Sequence, residues 1–315
     1  MANYKTQAEA DGSTHLGARL CAYNRAKLLA GDPSAEEICF QMAVGDEGVV
    51  PADVDSSVPP PAGQDELFAS VWDSSHMSVY SLHPDFANPQ NSFVTGNNGS
   101  QLIAVPAFTL ACNGVGLAYC VPQKDTSQLL EVRGGGFFRI AYWDDNPQAS
   151  VKANPPKPVP SQHWYMVNDV TASGGNEAPR WYEFTAPQKK TPVTGLSLFQ
   201  SGTFAPDSDY RWMSSIVRDK KYNILLGYNI SSSDMYPSIA ITGRTLQDAL
   251  GTMEGEIIVV NGGGSQTATG EWGGSSSMKI DQDGCTFFHT NEYNLITTPR
   301  NWSTQIVSAK FAGCN

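Results

Sequence analysis

The stretch from Leu129 to Trp143, Leu-Leu-Glu-Val-Arg-Gly-Gly-Gly-Phe-Phe-Arg-Ile-Ala-Tyr-Trp, constrains the fold most, and Asp144-Asp145-Asn146-Pro147 closes it. Past the glycines, Phe138, Ile140 and Tyr142 fall on one face of an extended chain; Phe137, Arg139, Ala141 and Trp143 fall on the other. A period of two built from aromatic and β-branched residues, stopped by an Asp-Asn-Pro turn, is the mark of a strand. Because both faces carry large apolar groups, this strand belongs in an interior, covered on each side. A chain holding such a strand must supply neighbours for it, and the rest of the sequence reads as further strands.

Composition sharpens this. Charged residues make up only 16% of the 315 residues, the formal net charge is -11, and Gly 29 and Pro 20 point to many turns and few long helices. An acidic chain is a poor autonomous binder of nucleic acid, since such binding rests on neutralising phosphates. No run approaches the roughly 18 apolar residues of a membrane span. The opening Met-Ala-Asn-Tyr-Lys-Thr-Gln has no apolar segment of the kind a secretory signal carries. Six cysteines are scattered without a C-x-x-C pair, so free thiols in a reducing compartment are expected, and no bond is expected between Cys112 and Cys120. Three sequons, at Asn98, Asn229 and Asn301, are about what chance gives in a chain rich in Asn, Ser and Thr.

Residues 1–57 read differently from the remainder. Ala8 to Leu29 is rich in helix formers, with Leu16, Leu20, Tyr23 and Lys27 at helical spacing, and Gly31-Asp32-Pro33 would stop that helix. Ser34 reads as the N-cap of a second short helix, Ala35 to Met42, with Glu37 as its box partner. Val58-Pro59-Pro60-Pro61 makes the segment from Asp53 to Gln64 a stiff linker. The expectation is a helical arm and linker over 1–57 and a β body over 58–315, with the Pro-rich residues 154–160 as a second candidate boundary.

Strands are expected over 67–72, 77–82, 102–112, 115–121, 137–143, 164–170, 180–185, 196–204, 210–217, 222–230, 255–260, 285–290 and 304–311. Asn113-Gly114 is the strongest hairpin turn signal. The pattern implies an all-β chain, an antiparallel sandwich, and no repeat at a fixed period.

Few residues suggest chemistry. His76 and His83 are seven apart, which on one strand puts the rings on opposite faces, and His163 beside Trp164 reads as packing. His289 and Glu292 lack a third partner, and neither G-x-S-x-G nor H-E-x-x-H occurs. Gly134 to Gly136 lacks the Lys-Ser/Thr of a phosphate loop and reads as a hinge or bulge. The acidic pairs are Asp144 with Asp145, Asp207 with Asp209 and Asp281 with Asp283; if Gly284 took the glycine position of a calcium loop, Lys279 and Thr290 would fill its first and last ligand places, so a hairpin turn is expected there. No catalytic or cofactor-binding residue is assigned, and no metal ligand can be named. Carboxylates shared between copies are the one route left for an interfacial calcium ion. Trp72, Trp164, Trp181, Trp272 and Trp302 could stack sugars but read first as core or interface.

In layout, a short helical arm, a Pro-rich linker and a large β body, the chain resembles the coat proteins of small non-enveloped RNA viruses of nodavirus type. Gly136 to Trp143 and Glu256 to Asn261 are similar to framework strands of such shells, and the C-terminal Asn315 is compatible with a processed coat protein. The resemblance implies an eight-stranded jelly roll and a non-enzymatic capsid subunit. That subunit is made in the host cytoplasm, assembles with copies of itself into a virion and is capable of engaging a glycan receptor. The chain departs from the pattern in lacking an Arg-rich arm, so genome contact, if any through the N-terminal arm, is in doubt. The alternatives are a glycan-binding β-sandwich and, third, a hydrolase using two carboxylates about 5–9 Å apart.

Overall fold

The computed structural model describes residues 2–8, 15–46, 48–95, 101–114, 118–145, 161–187, 195–273 and 276–315. A first antiparallel sheet contains β1 (Ala2–Ala8), β2 (His15–Tyr23) and β3 (Glu37–Gln41). β4 (Val50–Val54), β5 (Glu66–Asp73), β6 (His76–His83) and β7 (Phe93–Thr95) follow as a meander, with β8 (Gln101–Ala104) also on β6 and the two-residue β9 (Thr109–Leu110) on a later strand. β10 (Tyr119–Gln123) and β11 (Thr126–Glu131) form a hairpin. A second meander runs through β12 (Ile140–Asp144), β13 (Ser161–Thr171), β14 (Glu177–Pro187) and β15 (Ser197–Thr203). Two more complete the chain: β16 (Tyr210–Arg218), β17 (Ile224–Ser232), β18 (Met235–Arg244) and β19 (Ile257–Val260), then β20 (Ser277–Ile280), β21 (Thr286–Tyr293) and β22 (Ser303–Lys310).

The chain is therefore mostly β, as expected. Its strands pair mainly with their neighbours in sequence, whereas a jelly roll is built from Greek-key crossovers. Among the named strands one pairing is parallel: β4 runs alongside β12, with Ala52 opposite Ile140 and Val54 opposite Tyr142, and so welds two meanders into one ten-stranded sheet.

The interior strand is buried on both faces. Ala141 and Trp143 join Tyr165, Val167 and Trp181 in a core shared with Leu226, Tyr228 and Phe287 of the last two meanders. Ile140 and Tyr142 join Trp164, Met166 and Tyr182 in a second core on the opposite face. Phe137, expected on the Trp143 face, packs in the second core, because the extended run begins only at Ile140 and the alternation does not reach back past it. Burying side chains of this size contributes about 1.5–3 kcal/mol each.

The N-terminal helical arm is not found. Residues 15–23 and 37–41 are strands, and among the described residues of this segment the α-helix is Arg25–Leu29, capped by Asn24, whose side chain accepts from the Lys27 amide. Ser34 caps no second helix; its amide and hydroxyl both donate to Asp32 Oδ1 in a turn. Ala18, Leu20 and Ala22 pack against Phe68, Tyr80 and Leu82 of β5 and β6, so this sheet shares a core with the body. Tertiary pairing overrides helix propensity, which is worth only tenths of a kcal/mol per residue. The Pro-rich segment joins β4 to β5, antiparallel neighbours in one sheet. Residues 154–160 lie outside the described residues.

The cysteines also differ from expectation. Cys21 is bonded to Cys39, Cys112 to Cys120 and Cys285 to Cys314. Cys21 and Cys39 are direct partners across β2 and β3, a pairing hidden while both segments read as helices. Cys112 reaches Cys120 because Cys112 and Asn113 both adopt left-handed backbone (φ 49° and 57°), curling the chain where a two-residue hairpin would have kept the cysteines out of register.

Candidate functional site

Strand β4 ends in a cleft. Its registers to β5, Val50 opposite Ala69 and Pro51 opposite Phe68, stop at Pro51, and the Glu66 carboxylate accepts a hydrogen bond from the Ala52 amide. Beside it opens a cavity of about 580 Å³, lined by Asp53, Glu66, Phe138, Arg139 and, from the short helix, the exposed Arg25.

Arg139 organises the floor. Its Nε donates to Asp53 Oδ2 at 3.2 Å, its Nη2 to Asp55 Oδ2, and its Nη1 to the Met278 carbonyl at 2.7 Å. Lys279 on β20 adds a second cation, with Nζ 2.5 Å from Asp53 Oδ2. Burial works against the charge on Asp53, but Arg139 and Lys279 hold its carboxyl below the usual range. Asp55 is deeper, its side chain 1% exposed, and there burial wins and pushes the carboxyl up despite Arg139. Burial pushes Glu66 up to about 8, and the nearby charge of Asp53 adds to it. The cleft therefore offers the Asp53 carboxylate, the buried Glu66 carboxyl, two arginines and an aromatic ring within one concavity.

A second polar cluster lies within the core between the large sheet and β16–β18. His163, 2% exposed, pairs through Nδ1 with Glu183 Oε1 at 2.7 Å and through Nε2 with Asp145 Oδ2 at 2.9 Å. Arg218 Nη2 donates to Asp145 Oδ1, and its guanidinium stacks 4.7 Å from the Trp143 ring centroid and 4.1 Å from that of Tyr222. Tyr165 Oη and Gln200 Nε2 donate to Glu183 at 3.0 and 2.5 Å, and Arg244 Nη1 donates to Gln200 Oε1. The Asp145 and Glu183 carboxylates are thus shared between the His163 ring and the Arg218 guanidinium, with the Arg244 guanidinium reaching Glu183 through Gln200. This arrangement fastens sheets together; His163 does more than pack.

The residues singled out from the sequence are scattered. His76 pairs with Asp73 and His83 with Asp65, at opposite ends of β6. His289 is buried against Gly227, and burial pushes it down to about 4, so it is neutral. Asp207 binds Arg211, whose guanidinium also binds Glu256. Asp283 accepts the Cys285 and Thr286 amides, each at 2.7 Å, in the expected hairpin turn. Arg133, Gly134 and Gly135 form a tight turn in which a Cβ at Gly135 would meet the Asp169 carbonyl at 2.5 Å. Of the tryptophans, Trp164, Trp181 and Trp272 are core, and Trp72 is 49% exposed. The acidic pairs thus have structural partners, while Asp53, read as the start of a linker, and Glu66, which no motif marks, share the cleft.

No family model matches the chain, and no curated protein matches it. A solved structure described as "Crystal structure of unknown function protein from Dyadobacter fermentans DSM 18053" is similar with a TM-score of 0.35 and 9% identity, over 99% of this chain and 79% of that one, a likeness too slight to carry an argument.

Proposed function

We propose that the protein is a glycan-binding β protein and that the cleft over Asp53, Glu66 and Arg139 is its binding site. The observation that carries this is the lining: acceptors, donors and the Phe138 ring converge on a cavity of about 580 Å³, a size within the range of small-ligand pockets. Polyhydroxylated ligands use all three kinds of group at once. The three disulfides support the reading, since such bonds persist where the surroundings are oxidising, as outside the cell. Arg25, exposed at the rim, suits a sugar carrying a carboxylate.

A glycan array probed with the intact chain tests this, with Arg139→Ala as control. Binding that the substitution leaves unchanged sinks the assignment to this cleft. Self-assembly, the capsid reading, is favoured by a different observation: the edge strands β19 and β22 expose Ile257 at 61% and Ile306 at 64%. The arm that carried the coat-protein likeness is a set of paired strands, so this reading stands second. Light scattering separates the two, because a monomer that binds glycans excludes the shell.

A further inference from the structure

We propose that a second cleft, where β13 turns into β14, seats the phosphate or sulfate ester group of a small organic ligand on Arg180. The cleft has a volume of about 460 Å³, and Phe108, Thr109, Ser173, Arg180 and Thr203 are among the residues that line it. That volume lies within the range of small-ligand sites and exceeds what a bare oxyanion would fill. Among the described residues, Arg180 is the only charged one in the lining. It stands opposite Asn168 of β13 and Thr203 of β15, so these three side chains share one face of the large sheet.

The Arg180 guanidinium is fixed by neutral partners. Nη1 donates to Thr203 Oγ1 at 2.7 Å and Nη2 to the Pro106 carbonyl at 2.9 Å, and the Phe108 and Tyr182 ring centroids lie 5.7 and 5.6 Å from it. Arg19, Arg133, Arg139, Arg211, Arg218 and Arg300 each have a carboxylate partner. Arg180 has no ion pair among the described residues, on a chain of net charge -11. Its two side-chain contacts use two of the five N–H donors a guanidinium carries. Nε is buried without a partner, as are both amide atoms of Asn168. The charge is thus held in place and uncompensated, a state that charge-assisted hydrogen bonds to an oxyanion relieve. The planar fork matches two oxygens of a phosphate or sulfate, and the Thr109 and Ser173 hydroxyls, exposed in the same cleft, suit the further oxygens that a carboxylate lacks. The half-buried Phe108 ring offers an apolar wall to the organic part. None of this depends on what occupies the cleft at Asp53.

Calorimetry with phenyl phosphate and phenyl sulfate tests it, with phenol as the uncharged comparison. At least one ester should bind the intact chain about tenfold or more tighter than phenol, and the one that binds identifies the group. Added sodium chloride should weaken that binding. Arg180→Gln should lower the affinity at least about tenfold, and Ser173→Asp, which sets a carboxylate at the exposed rim, should lower it as well. Arg139→Ala, in the other cleft, should leave it unchanged. Failure of both esters to bind, phenol binding as tightly, or binding that survives both Arg180→Gln and Ser173→Asp overturns the proposal, as does loss of binding with Arg139→Ala; Ser173→Asp serves should Arg180→Gln fail to fold.

Discussion

Replacing His163 by Gln tests the buried ion cluster most directly. The ring makes two charge-assisted contacts, at 2.7 Å to Glu183 and 2.9 Å to Asp145, in a position 2% exposed. Asp145 keeps Arg218 in the variant, and Glu183 keeps Tyr165 and Gln200, but both carboxylates lose the cationic ring that bridges them. Breaking a buried pair in this way costs about 3–5 kcal/mol. For a chain of 315 residues, with an unfolding entropy of about 2.1 cal/mol/K per residue, that lowers the melting temperature by about 5–8 °C. The pH dependence sharpens the test. Burial opposes the His163 charge, yet the hydrogen bonds its ring makes to Asp145 and Glu183 raise it above its ordinary 6.5. Its contribution is therefore complete below 6.5 and lost as pH rises through the folded value. Burial likewise opposes the charge on Asp145 and Glu183, but His163 and Arg218 hold both carboxyls below their ordinary values, so their share is complete above about 4–4.5 and lost as pH falls. Denaturant unfolding at pH 5.5, 7 and 9 should show the gap between wild type and variant shrinking as pH rises. A gap under about 1 kcal/mol at pH 5.5, or one that does not change with pH, refutes the reasoning.

Gly227→Ala should destabilise by about 1–3 kcal/mol in the same unfolding assay, because a Cβ there meets the His289 ring at 2.6–2.7 Å and that ring is buried. Cys285→Ser with Cys314→Ser opens a loop spanning 29 residues and should cost about 3–4 kcal/mol on the loop-entropy account. Thiol titration of the denatured, unreduced chain should find no free sulfhydryl, and six after reduction. Arg139→Ala should lower glycan affinity at least tenfold in calorimetry, since it strips Asp53 and Asp55 of the guanidinium they share and leaves them only Lys279 as a cation.

Most of the body was legible because its strands are long and alternate cleanly: 77–82, 164–170 and 210–217 fall inside β6, β13 and β16. β18 was missed because Pro237 interrupts it, and a proline demotes a run to an edge, yet β18 lies between β17 and β19. The N-terminal strands were hidden by alanine, leucine and lysine. One signal was present there: Gly17 sits inside the supposed helix, and in the fold it has φ 88° with its absent Cβ 2.7 Å from the Ala43 carbonyl. The cleft was illegible. Asp53 becomes a site residue only because β4 docks beside β12, and no local pattern announces a partner so distant along the chain.

That one parallel contact also sets an order of events. Ala52 and Ile140 are about 90 residues apart, and closing so large a loop is the slowest kind of step a small sheet takes. During synthesis the first meander can form on its own hydrogen bonds long before residue 140 is available. Its outer edge must then wait, unpaired, for the second half to arrive. The cleft thus comes into being only after the first meander, and a nascent chain halted before Phe138 would hold hairpins but no place for a ligand.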